Sequence, residues 1–288
     1  MIIEPKIRGF VCMTAHPSGC TEHVTQQIDY IKSQPAIDGP QRVLVIGAST
    51  GFGLASRIAT TFSCGADTVG VFFERPASRN RTASAGWYNT AAFEHEASTA
   101  GRRAWSINGD AFSNEIRKRT IKLVADRLGQ LDLIVYSLAS ARRVDPDSGE
   151  IYSSVLKPIG SSYHGKTIDP HLGEVTKIQI DPASDAEISS TISVMGGDDW
   201  RRWIEDLNSA GLIKPECINI AYTYVGPNLT RAIYRSGTIG RAKEDLERTA
   251  INLNQKFPGQ SLISVNKALV TQSSAAIPTV PLYLTVLF

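Results

Sequence analysis

Hydrophobic positions along this chain alternate between two periods. Short apolar runs suited to buried strands are followed by stretches with apolar residues every three or four positions, as on one face of a helix. Arg42–Ile46 (RVLVI) is the first run, and Leu54, Ile58 and Phe62 then recur at intervals of four. Thr68 to Phe73 predicts the next strand, Ala104 to Ile107 a third and Leu131 to Tyr136 a fourth. Between the last two, Ser113 stands where an N-cap would, ahead of a helix with Ile116, Ile121, Val124 and Leu128 facing inward. A helix from Asp198 carries Trp200, Trp203, Ile204 and Leu207 on one stripe, which makes both tryptophans core residues. Cys217 to Tyr222 and Leu262 to Val265 predict two further strands. Strands alternating with helices imply an α/β fold: a doubly wound, Rossmann-type, largely parallel sheet with helices on both faces.

One stretch breaks the rhythm. Residues 141–190 contain Pro146, Pro158, Pro170, Pro182 and several glycines, and predict an irregular excursion that covers the site within a single domain, 1–288. No internal repeat or low-complexity segment is visible.

Composition narrows the class without deciding it. A 42% hydrophobic content in 288 residues supports a sizeable core, and a net charge of +2 gives no sign of a nucleic-acid or anionic-membrane partner. The densest basic stretch, Arg117, Lys118, Arg119 and Lys122, predicts a solvated helix face. MIIEPKIRGFVCM has no basic region ahead of an apolar one, and AAIPTVPLYLTVLF is too short and proline-broken to span a bilayer, so a cytoplasmic protein is expected. Cys12, Cys20, Cys64 and Cys217 form no disulfide framework. Cys12-x3-His16-x3-Cys20-x2-His23 lacks the paired-cysteine knuckle of zinc sites, so a structural loop is the preferred reading and no metal is expected.

Candidate chemistry starts with the turn Gly47-Ala48-Ser49-Thr50-Gly51-Phe52-Gly53, between the first strand and its helix. Glycines there allow a sharp bend and let backbone N–H groups at a helix N-terminus approach a phosphate. Glu74, twenty-one residues after Gly53, stands just past the second strand. A carboxylate at that point accepts from the adenosine ribose hydroxyls and repels a 2′-phosphate, favouring NADH, although Arg75 beside it works the other way. Further on, Tyr234 and Lys243 are nine positions apart. A phenol can hydrogen-bond an oxygen that gains negative charge after hydride transfer, and an ammonium nearby would lower its pKa. Gly237 and Gly240 argue that Tyr234 precedes the helix carrying Lys243. By spacing alone, a half-buried tyrosine and a solvated lysine are the preferred reading.

In order along the chain, GASTGFGLASR, VFFERP, GWYN, SINGDAFS, YSLAS, VLKPIG, VMGGDDW, Tyr234-x8-Lys243 and VNKALVTQSSAAIPTVPLY resemble one family throughout. That family is the monomeric NADH-dependent trans-2-enoyl thioester reductases, which includes enoyl-ACP and enoyl-CoA reductases. The tyrosine–lysine spacing is longer than in ordinary short-chain dehydrogenases and marks this branch. The resemblance implies a short-chain-dehydrogenase-like fold, NADH as cofactor and an acyl thioester on acyl carrier protein or CoA as substrate in fatty-acid synthesis. It implies that Gly47, Ala48, Ser49, Thr50, Gly51, Phe52, Phe73 and Glu74 hold the dinucleotide. By the same resemblance Asp110 and Ala111 contact adenine, Leu138 and Ala139 form the wall beside the adenosine ribose and nicotinamide, and Leu269, Val270 and Thr271 hold the carboxamide. Tyr234 becomes the proton donor, Lys243 the partner of the nicotinamide ribose, and Tyr224 a contact to the thioester carbonyl, with Tyr222 open as an alternative. Family chains continue past residue 288, so this chain is expected to lack their C-terminal portion and to leave its apolar last segment uncovered. A carbonyl reductase and a non-catalytic dinucleotide-binding fragment are the alternatives.

Overall fold

The computed structural model describes residues 2–8, 11–169, 172–267, 269, 271 and 277–287. The chain begins with a small antiparallel pair, β1 (Ile7–Arg8) and β2 (Val11–Cys12), followed by α1 (Pro17–Lys32). A first run of alternating elements is β3 (Arg42–Ile46), α2 (Gly51–Ser63), β4 (Asp67–Phe72), α3 (Ala85–Thr99), β5 (Ala104–Asn108), α4 (Asn114–Arg127) and β6 (Leu131–Tyr136). Two hairpins interrupt, β7 (Arg142–Val144) with β8 (Ile151–Ser153) and β9 (Tyr163–Asp169) with β10 (Glu174–Ile180). The pattern resumes with α5 (Asp185–Met195), α6 (Asp198–Ser209), β11 (Ile213–Thr223), α7 (Thr238–Lys256), β12 (Gln260–Val265) and α8 (Val280–Leu287).

Six strands form one sheet in the order β12-β11-β6-β3-β4-β5, every neighbour parallel. The chain starts in the middle, winds outward to β5, then returns to β6 and winds the other way. That reversal between β3 and β6 opens a crevice beyond their carboxyl ends, where such sheets bind ligands. Register sharpens the point, because Ile46 lies opposite both Tyr136 and Val71. The segments after Ile46 and Tyr136 therefore emerge side by side.

β3 is buried on both faces, as a central parallel strand should be. Leu44 and Ile46 face a core built with Val124, Trp200, Trp203, Ile204, Leu207 and Leu246 from α4, α6 and α7. Val43 and Val45 face the other side, where α1, α2 and α3 bring Val24, Ile28, Leu54, Ile58 and Phe93 together. Ser113 caps α4 as expected, its hydroxyl accepting from the Ile116 N–H.

Three expectations change. Arg117 is not solvated: it is 1% exposed and ion-paired to Asp199 (3.1 Å) and Asp206 (2.9 Å), while Lys118, Arg119 and Lys122 stay in solvent. It sits beside Ile116 on the face α4 turns to α6, so the carboxylates there neutralise it. Residues 141–190 are not irregular, since they hold both hairpins and the start of α5. Pro146, Pro158 and Pro182 fall outside the paired strands, so none of the three removes a ladder N–H; Pro170 lies outside the described residues. The second strand stops at Phe72, one residue early, and Phe73 is 75% exposed.

Candidate active site

The segments that leave β3 and β6 bound a cleft of about 350 Å³ at the crevice. Gly47, Ser49 and Thr50 line it from one side, Ser137, Leu138, Ala139, Ser140 and Arg142 from the other. Phe72, Phe73, Asp110, Ala111 and Phe112, past the ends of β4 and β5, complete it. Eight residues singled out from the sequence thus meet in one cavity: Gly47, Ser49, Thr50, Phe73, Asp110, Ala111, Leu138 and Ala139. Ala48 is buried behind the turn, and Phe52 turns its ring edge-on to Tyr222, centroids 6.1 Å apart. Phe72, Phe112, Ser137, Ser140 and Arg142 were not singled out, although the first four lie within quoted motifs.

Two glycines are sterically required here. Gly47 has φ +90°, and a Cβ on it would lie 2.1 Å from the Ser137 carbonyl oxygen. A Cβ on Gly53 would lie 1.9 Å from the Gly47 carbonyl oxygen, so the helix seats directly on the turn. Thr50, the N-cap of α2, makes no side-chain capping bond, which leaves first-turn amides open to an anion. Such a cradle fits the diphosphate of a dinucleotide.

Glu74 is held by two devices. The Asn108 side chain accepts from the Glu74 N–H (2.9 Å) and donates to its carbonyl oxygen (2.8 Å), while the Ser49 hydroxyl donates to Oε1 (2.7 Å). The carboxylate opens onto an adjoining groove shared with Thr50, Arg75 and residues 11–15. Asn108 escaped the sequence reading because it is the last residue of β5, where a strand was expected to have ended.

A second group stands past β11, the neighbour of β6, and so flanks the cleft on the side away from β3. Tyr224 follows the strand, and Tyr234 lies in the turn before α7, as the glycines implied. Their rings meet edge to face, centroids 5.2 Å apart and planes at 72°. The Gly240 N–H donates to the Tyr234 carbonyl (2.9 Å), and a Cβ on Gly240 would come 1.9 Å from the Arg235 carbonyl oxygen. Only glycine lets α7 begin that close to the turn.

Burial dominates the electrostatics of both candidate catalytic groups. Tyr234 and Lys243 are each 8% exposed. Desolvation, with Tyr224 adding, raises the Tyr234 pKa above the ordinary phenol value, which keeps its proton on oxygen. The expectation that Lys243 would lower it is not met. Lys243 is itself pushed down to about 8 by burial, with Glu247 opposing and Arg235 assisting. Burial also raises Tyr224, and Tyr283 of α8 adds to that shift.

Tyr222 takes a structural place. Its hydroxyl shares a hydrogen bond with Ser56 on α2 (2.7 Å), because β11 ends at Thr223 and strand alternation does not extend to Tyr224. Leu269 and Thr271 lie past β12, the outermost strand, and are not among the residues lining the cleft; Val270 is outside the described residues. Cys12 to His23 is no loop: it joins β2 to α1, and His16 caps the helix by accepting from the Gly19 N–H. Proline at the first helical position favours that start. Among the described residues no cluster of three or more His, Cys, Asp or Glu could hold a metal ion, and Cys20, Cys64 and Cys217 are free thiols.

Residues 2–79 match the model for the NAD(P)H binding domain of trans-2-enoyl-CoA reductase, and residues 81–288 match that for the trans-2-enoyl-CoA reductase catalytic region. The chain belongs to the trans-2-enoyl-CoA reductase family. An enoyl-[acyl-carrier-protein] reductase [NADH] of Coxiella burnetii is 59% identical over all of this chain and 72% of its own length. A trans-2-enoyl-CoA reductase [NADH] of Ruminiclostridium cellulolyticum is 55% identical, again over the whole chain and 74% of its own. The crystal structure of Treponema denticola trans-2-enoyl-CoA reductase in complex with NAD superimposes with a TM-score of 0.94 at 47% identity, covering 99% of this chain and 73% of that one.

Proposed function

We propose that this protein reduces the trans-2 double bond of enoyl thioesters, carried on acyl carrier protein or CoA, with NADH in fatty-acid synthesis. The observation that carries the reading is the edge-to-face pair of half-buried Tyr224 and buried Tyr234 beside a glycine cradle in a chain of this family. Gly47, Ala48, Ser49, Thr50, Gly51 and Phe52 are assigned to the diphosphate and Glu74 to the adenosine ribose. Asp110 and Ala111 are assigned to the adenine, Leu138 and Ala139 to the wall beside the adenosine ribose and nicotinamide, and Leu269, Val270 and Thr271 to the carboxamide. NADH, when bound, supplies the hydride that adds to the β-carbon.

The chain's own groups act on the oxygen. Reduction leaves negative charge on the thioester carbonyl, and the Tyr234 hydroxyl, kept protonated by burial, donates a hydrogen bond there and supplies or relays the proton. Tyr224 makes a second contact to that carbonyl, and the edge-to-face packing of the rings holds both hydroxyls in one place. The Lys243 ammonium anchors the nicotinamide ribose through its three donors. The two hairpins within residues 141–190 cover the site from above. The same reading takes the enzyme as a single-domain cytoplasmic monomer, with which the net charge of +2 and the free thiols agree.

The test is NADH oxidation with crotonyl-CoA, with crotonyl carrier protein, with a panel of ketones and with no acceptor. Oxidation that needs an enoyl thioester supports the reading. Equal or faster oxidation with ketones would make the protein a carbonyl reductase, and none with any acceptor would make it a binding module.

A further inference from the structure

Among the described residues that line the nucleotide cleft, one carries a positive charge: Arg142. The next residue, Arg143, has the same side chain and an opposite fate, and strand alternation separates them. Arg143 points inward on β7, 3% exposed, donating to the Ser193 carbonyl (2.8 Å) and pairing with Asp198 (2.7 Å), its guanidinium 5.6 Å from the Phe112 ring centroid. Arg142 therefore points outward, over the cleft that Phe112 also lines. Its backbone is clamped at both ends. The Ser140 hydroxyl accepts from the Arg142 N–H (3.1 Å) and donates to its carbonyl (2.6 Å), and Arg142 pairs with Ser153 across the hairpin. A fixed main chain carries a guanidinium that makes no ion pair with another described residue.

We infer that Arg142 pairs with the diphosphate of the bound dinucleotide, opposite the glycine turn. Sheet order supports the diphosphate over the adenine. The loop that carries Arg142 leaves β6, the strand next to β3, and the Ser137 carbonyl touches the turn at Gly47. Asp110, at the adenine end, follows β5, three strands from β6 or roughly 14 Å at normal strand spacing. The turn offers amide dipoles but no full positive charge, and a guanidinium suits two phosphate oxygens at once. The inference rests on the dinucleotide occupying this cleft, and it gives the first hairpin a function: it delivers a charge that the minimal strand–turn–helix cradle lacks.

The experiment is equilibrium binding of NADH, followed by nicotinamide fluorescence, to the parent chain, Arg142→Gln and Arg142→Lys, with adenosine as a competitor. Arg142 is exposed, so its replacement leaves the fold intact, which a thermal melt checks. Arg142→Gln is expected to raise the NADH dissociation constant about tenfold or more at low ionic strength, Arg142→Lys to lose less, and the gap to narrow as salt is added. Adenosine, which has no phosphate, should bind parent and variant within twofold. An NADH constant within twofold of the parent's overturns the inference, and so does an equal loss for adenosine, which would move the contact to the adenine end. A parent chain that binds no NADH overturns the cofactor reading and this inference with it.

Discussion

The rings of Tyr224 and Tyr234 meet at 72°, 5.2 Å between centroids, although ten positions separate them in the chain. Replacing Tyr234 by phenylalanine keeps that contact and removes only the hydroxyl. Turnover of Tyr234→Phe should fall by about 10²–10⁴-fold, the usual contribution of a general acid, while NADH binds as before. A loss in kcat below about tenfold would take Tyr234 out of the chemical step.

Lys243 sets a pH dependence. Its pKa is about 8 in the folded chain against an unperturbed value of about 10.4, so between these values the unfolded state holds more protons. Stability should therefore rise with pH from about 8 to about 10.4, and the extra stability is lost as pH falls through about 8. Lys243→Met should flatten that rise in urea unfolding. NADH affinity should run the other way in the parent, weakening above pH 8 as the ammonium loses its proton. An affinity flat from pH 7 to pH 9.5 would count against the ribose role.

Cofactor choice should follow the Glu74 carboxylate itself rather than the Ser49 hydroxyl that holds it. A hydrogen bond to a charged group contributes roughly 1.5–3 kcal/mol, so NADH should be preferred over NADPH by about ten- to 150-fold in kcat/KM. Ser49→Ala frees the carboxylate without deleting it and should leave the preference largely in place. Glu74→Ala should abolish it. Equal use of both cofactors by the unmodified chain would refute the assignment.

How far these sites were legible depended on how each element buries itself. β3, α2 and α6 announced themselves because large apolar side chains supply their buried faces. α3 did not, since it buries Gly86, Asn89, Thr90, Ala92, Phe93 and Ala97, mostly small or polar residues that leave no period. α1 buries only Val24 and Ile28 and was equally silent. In the site, the glycine turn and Glu74 followed from local spacing, whereas Asp110, Ala111, Leu138 and Ala139 were reached only through the family resemblance, because no periodic or turn signal marks them. The shifts on Tyr234 and Lys243 followed from neither, because they come from burial that only the tertiary packing reveals.

Arg117 shows the same limit and gives a stability test. Asp199, 1% exposed, is bound by Arg117 and by the Tyr136 hydroxyl (3.0 Å), yet burial still raises its pKa to about 6. That value lies above the unfolded one of about 3.9, so this group's contribution is full below about pH 4 and is lost as pH rises through 6. Arg117→Met leaves a buried carboxylate with one fewer partner and should cost roughly 3–5 kcal/mol at pH 7.5. The deficit should shrink at pH 5, and adding Asp199→Asn should recover part of it. A deficit independent of pH would point to lost packing under Trp203 instead.

The link between the two hairpins is anchored to α7. The Thr238 N–H donates to the Lys157 carbonyl (3.0 Å), and the Lys157 N–H donates back to the Thr238 hydroxyl (3.3 Å). Thr238 is the first residue of the helix that carries Lys243. An insertion that looks like decoration is thus stitched to the start of the helix that carries the candidate lysine. Anyone transplanting these hairpins between relatives to alter acyl preference would have to carry Val155 to Lys157 and Thr238 together, since exchanging one without the other shifts the very helix whose lysine must stay in register.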